Sequence, residues 1–105
     1  MVLQFTYDPK DINRDYSSLI AYIAGMGPTM QVLSNTWWIK LPDDSKPDIS
    51  QLADKLREYL GDTDLMLLEE VKVQSGRDGW LARSAWRWLE NNLEETTSDP
   101  TETQL

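Results

Sequence analysis

A chain of 105 residues with net charge −8, ten Lys and Arg against eighteen Asp and Glu, is long enough for one hydrophobic core and too short for two. It contains neither cysteine nor histidine, which excludes disulfides, thiolate metal sites, imidazole bases and the common zinc ligands. No stretch approaches the roughly 18 consecutive apolar residues of a membrane helix, and no basic region precedes the first apolar run, so a cytoplasmic protein is expected.

The first element is an apolar run, Val2-Leu3-Gln4-Phe5-Thr6-Tyr7, read as a strand that ends at Asp8-Pro9. After an Asp/Asn/Arg-rich loop, Leu19, Ile20, Ile23 and Ala24 recur at helical spacing from near Tyr16, with Asp15 as the expected cap. Gly25, Gly27 and Pro28 stop that helix. Met30 to Leu33 and Thr36 to Leu41 form a hairpin around Ser34-Asn35, and Pro42 to Pro47 is a loop by composition. Ile49, Leu52, Ala53, Leu56 and Tyr59/Leu60 then mark a second helix closed by Gly61, and Leu65 to Val73 a fourth strand.

The resulting order, β-α-β-β-α-β, is the split βαβ arrangement, so the expected fold is α+β and ferredoxin-like: a four-stranded antiparallel sheet with two helices on one face. Beyond a loop at Gly76-Arg77-Asp78-Gly79, residues 80–93 carry Leu81, Ala85, Trp88 and Leu89 on one side of an expected third helix. Residues 1–93 thus form one domain, and 94–105 an acidic tail expected to be disordered. The tail holds Glu94, Glu95, Asp99 and Glu102 and no Lys or Arg. It therefore carries half of the net charge, and the body the other half. Even without the tail the domain is acidic, and nucleic acid, whose binding rests on phosphate neutralisation, is not an expected partner.

Trp37 and Trp38 are adjacent on the third strand and so point to opposite faces. One of them lies on the face that the first two helices leave open, where a large apolar side chain must be covered by the third helix or by a second copy of the chain.

Phe5-Thr6-Tyr7-Asp8, Arg14-Asp15-Tyr16-Ser17-Ser18-Leu19-Ile20, Leu33-Ser34-Asn35-Thr36-Trp37 and Asp64-Leu65-Met66-Leu67-Leu68-Glu69-Glu70-Val71 together resemble the SinR-like family of small bacterial and phage proteins. That family is related to the CRISPR-associated ferredoxin-like adaptation and endoribonuclease proteins. The resemblance covers roughly residues 2 to 73 and implies a homodimer. In the CRISPR-associated relatives the Asp ending the first strand lies near the dimer axis, and the two copies can share a divalent metal. Some relatives are metal-dependent nucleases; others are structural adaptors.

Asp8 is the position that maps onto the family's metal aspartate, and Mg²⁺ or Mn²⁺ would be the cation, held by oxygen ligands and waters. The residues themselves equally permit a turn aspartate before Pro9. Tyr7, Ser34 and Thr36 could orient a water, or simply satisfy strand ends, since nothing in the chain activates a hydroxyl. Asn13 and Arg14 could meet an anion, or Arg14 pair with a local acid. Trp80, Trp86 and Trp88 with Arg77, Arg83 and Arg87 interleave aromatic and basic groups like a stacking platform, or cover the sheet as an amphipathic helix. Glu69-Glu70 could bind a basic partner or merely be solvated. Trp37, Trp38, Trp80, Arg83, Trp86 and Arg87 are the candidate partner-binding residues, because Trp and Arg dominate interface energetics. The sequence reads best as a dimeric, non-catalytic interaction or regulatory module that binds a protein partner. The alternative is a divalent-metal phosphodiesterase or endoribonuclease using Asp8.

Overall fold

The computed structural model describes residues 1–73 and 76–93; the acidic tail expected at 94–105 lies outside the described residues. The elements in chain order are β1 (Val2–Asp8), α1 (Ser17–Ala24), β2 (Thr29–Leu33), β3 (Thr36–Lys40), α2 (Ile49–Arg57), β4 (Leu65–Val71) and α3 (Arg83–Asn92). This is a mixed α+β chain with the strands and helices in the order the periodicities imply.

The four strands form one antiparallel sheet in the order β2-β3-β1-β4. β1 is central and pairs on one side with β3, Phe5 opposite Trp37, and on the other with β4, Phe5 opposite Leu68. α1 therefore joins two strands with β3 between them, and α2 joins two strands with β1 between them.

Alternation along the strands divides the interior into two cores. Leu3, Phe5, Tyr7, Trp37, Ile39 and Leu41 face α1 and α2, where Leu19, Ile23, Leu56 and Leu60 close over them. Fully burying side chains such as Phe5 or Leu19 contributes about 1.5–3 kcal/mol each. On the other face, Val2, Trp38 and Val71 pack against Ala85 and Leu89 of α3. The adjacent tryptophans are thus split between the cores, and α3 covers Trp38 within its own chain.

Local chemistry sets the helix ends. Asp48 caps α2 by accepting the Gln51 N–H at 3.1 Å. The cap position of α1 is Tyr16, which has no side-chain cap bond, while Asp15 accepts the Ser17 N–H at 2.9 Å. α3 begins at Arg83 rather than at residue 80. Ala82 is extended, with ψ 141°, and offers no capping side chain, so Trp80 and Leu81 precede the helix. β4 ends at Val71, short of Val73; beyond it the Lys72 carbonyl accepts from the Arg77 guanidinium.

Candidate functional site

α3 covers only part of its face of the sheet. Three ranks of side chains run across that face in register. The first is Lys40, Val2 and Val71; the second is Trp38, Gln4 and Glu69; the third is Leu33, Thr36, Thr6 and Leu67. Asp8 and Leu65 follow at the far end. Val2, Val71 and Trp38 lie against α3. At the two ends of the third rank Leu33 and Leu67 are each 56% exposed, while Thr36 between them is buried.

Between this third rank and the segment 76–86 runs a groove of about 550 Å³. Thr6, Thr36, Gln4 and Trp38 line it from the sheet; Val32, Leu33 and Glu69 line it from the two edge strands. The hydroxyls of Thr6 and Thr36 bond to each other at 3.0 Å. The Trp38 indole N–H donates to the Gln4 side-chain oxygen at 2.8 Å. These polar groups are thereby satisfied at the groove's edge of the core. Trp80, fully exposed, stands at the groove with Leu81 and Trp86.

The aromatic residues of the last segment have separate roles. Trp86 and Trp88 flank Trp38, with ring centroids 6.0 and 6.5 Å away, and are half-buried by that packing. Arg83 and Arg87 are exposed on the outer side of α3. Trp37 is interior, stacked on Tyr7 at 5.8 Å. Trp37 belongs to the helix-side core and Trp38 lies beneath α3, so neither is presented to a partner, and of these tryptophans Trp80 is the ring that solvent reaches freely.

Asp8 is the last residue of β1, and its carboxylate pairs with the Lys10 ammonium at 2.7 Å. Both groups are about half exposed, so the pair contributes roughly 0–1 kcal/mol. Among the described residues there is no group of three or more Asp or Glu placed to hold a metal ion. Within one chain Asp8 thus offers a single carboxylate, already engaged by an ammonium. The hydroxyls weighed with it are divided between faces: Tyr7 is buried under the helices, Thr36 bonds Thr6, and Ser34 sits exposed in the hairpin turn. Arg14 lies over the Tyr16 ring, 5.9 Å from its centroid, and the Asn13 N–H donates to Asp11 at 3.0 Å.

The most heavily engaged acid is Asp64, which the sequence marks only as the residue before β4. It is 4% exposed. Its carboxylate accepts the Lys10 N–H at 2.8 Å, the Tyr16 hydroxyl at 2.7 Å and the Gly61 N–H at 2.7 Å. These donors, Lys10 foremost, hold its carboxyl below the ordinary carboxylate value against the opposing effect of burial. With its bonds spent on the loops, Asp64 organises structure. Its signal, an Asp beside Gly61 at a loop end, is common to many turns.

Compared with known proteins, the chain matches no family model, and no curated protein or solved structure proves similar to it. Among the described residues, no helix is long and apolar enough to cross a membrane.

Proposed function

We propose that this chain is a non-catalytic interaction module: a ferredoxin-like domain, SinR-like in its motifs, that works as a homodimer and binds a protein partner. The observation that carries this reading is the groove bordered by exposed Leu33 and Trp80, an apolar surface that a folded chain retains at a cost in solubility. The fold assignment is supported by the two crossovers, each of which spans one intervening strand. The edge strand β4, with Leu65 and Leu67 exposed on one face, is the surface best suited to a second copy.

A divalent-metal phosphodiesterase is the second reading. It is favoured by the position of Asp8, which shares the uncovered end of the sheet with Leu65, so that a second copy docked there would bring another carboxylate near. The test is to incubate the purified protein with labelled single-stranded RNA and DNA in Mg²⁺ or Mn²⁺, beside Asp8→Asn. The module reading expects no cleavage that depends on Asp8, and a sedimentation coefficient of two chains. Cleavage lost in Asp8→Asn would replace it with the phosphodiesterase.

A further inference from the structure

We infer that the groove beside α3 takes an extended basic segment of a partner protein. This rests on the interaction-module reading and names the partner's chemistry. The acids on the groove's own face are Glu69 and Asp78, whose carboxylate accepts the Gly79 N–H at 2.8 Å, against the single guanidinium of Arg77. That guanidinium is turned back onto the Lys72 carbonyl. Glu69 stands in register with Gln4 and therefore on the groove's own face, and no ion pair joins it to another described residue. Beside these acids stand the apolar surfaces of Leu33 and Trp86 and the open ring of Trp80.

A ligand that satisfies all of these must carry cations and apolar groups together. Cations gain from Glu69 and, over an indole face, from the ring of Trp80. From β2 to β4 the groove crosses three strand spacings, about 14 Å, which matches four to five residues of extended chain. Charge also separates the occupants. Residues 94–105 bear only acids, a second copy brings another net −8, and nucleic acid brings phosphates. Each meets the groove with the wrong sign.

The probe is a fluorescein-labelled, amidated octapeptide, Arg-Leu-Leu-Arg-Arg-Leu-Leu-Arg, which presents Arg and Leu alternately on both sides when extended. Its counterpart has Glu in place of each Arg. Anisotropy titrations use the full chain, Glu69→Lys, Trp80→Ala and Asp54→Lys. The last makes the same charge change on exposed α2, across the sheet. The basic peptide is expected to bind and the acidic one not. Glu69→Lys should weaken binding at least tenfold and Trp80→Ala at least threefold, with Asp54→Lys within twofold of the parent.

Equal weakening by Glu69→Lys and Asp54→Lys would reduce the effect to net charge and overturn the proposal. So would unchanged affinity in Glu69→Lys or Trp80→Ala, or equal binding of both peptides. Should no peptide bind while Glu69→Lys shifts the monomer–dimer ratio, the groove belongs to a second copy and the proposal fails. Absence of binding by either peptide overturns the proposal as well. None of these results decides the module reading, which is tested by Asp8-dependent cleavage of nucleic acid and by the sedimentation coefficient.

Discussion

The hydroxyl of Tyr16 donates to the carboxylate of Asp64 at 2.7 Å, joining residues 48 apart in the chain. The same carboxylate holds the backbone of Lys10 and Gly61. The exit of β1, the entry of α1 and the approach to β4 are thus tied to one buried group. Because the Lys10 side chain in turn pairs with Asp8, this tie also fixes where the acid at the end of β1 stands.

Asp64→Asn should therefore be costly although it preserves shape. An amide nitrogen cannot accept, so at least one of the three donors is left without a partner. The expected melting temperature falls by about 5–10 °C, the scale for a domain of this size. A thermal scan showing less than about 2 °C would mean that the loops hold without the carboxylate.

Acid should act through the same group. Hydrogen bonds from Lys10, and then from Tyr16 and Gly61, depress the folded carboxyl relative to the unfolded one. Its contribution is present above the unfolded value of about 3.9 and disappears as the pH falls through the lower folded value. Melting curves of the parent should decline on acidification below about pH 4, and those of Asp64→Asn should decline less. Parallel curves would assign acid sensitivity to other groups.

The contrast between Asp64 and the strands shows what a sequence exposes. Strands and helices are legible because each repeats a period: Leu3, Phe5 and Tyr7 alternate, and Leu19, Ile20 and Ile23 fall on one helical face. The partners of Asp64 lie 3, 48 and 54 residues away, so no local pattern announces them. The groove is hidden for a related reason. That Glu69 faces it and Glu70 pairs with Leu3, on the helix side, follows from register alone. The start of α3 misleads in the opposite direction. Trp80 and Leu81 extend its apolar spacing backwards, although Ala82 is extended and the backbone there is not helical.

Trp38→Ala tests whether α3 is held by the ring beneath it. Trp38 sits between Trp86 and Trp88 and uses its N–H on Gln4. Removing it leaves a cavity and an unpaired amide oxygen, with an expected loss of about 3–5 kcal/mol in urea unfolding. The emission of Trp86 and Trp88 should shift to the red as water reaches them. A full loss of stability without a red shift would show that α3 stays docked through Ala85 and Leu89.

Two glycines that stand two residues apart should respond to alanine with opposite sign. Gly27 has φ +154°, and a Cβ there would lie 2.1 Å from the Lys40 carbonyl oxygen, well inside any contact a real Cβ makes. The obstacle is backbone, so no rotamer relieves it. The Lys40 N–H is itself bonded to the Pro28 carbonyl at 2.8 Å, so the end of β3 cannot retreat without losing that bond. Gly27→Ala is expected to cost roughly 2 kcal/mol or more, combining backbone strain with a displaced strand end. Gly25 has helical φ −76° and ψ −12°, and its Cβ would rest at an ordinary 3.5 Å from the Tyr22 carbonyl. There alanine only restricts the unfolded chain, with an expected gain of about 0.4–1 kcal/mol. Paired chemical denaturation of the two variants checks both. If Gly27→Ala proved as stable as the parent, α1 would have to enter β2 by a path different from the one seen here.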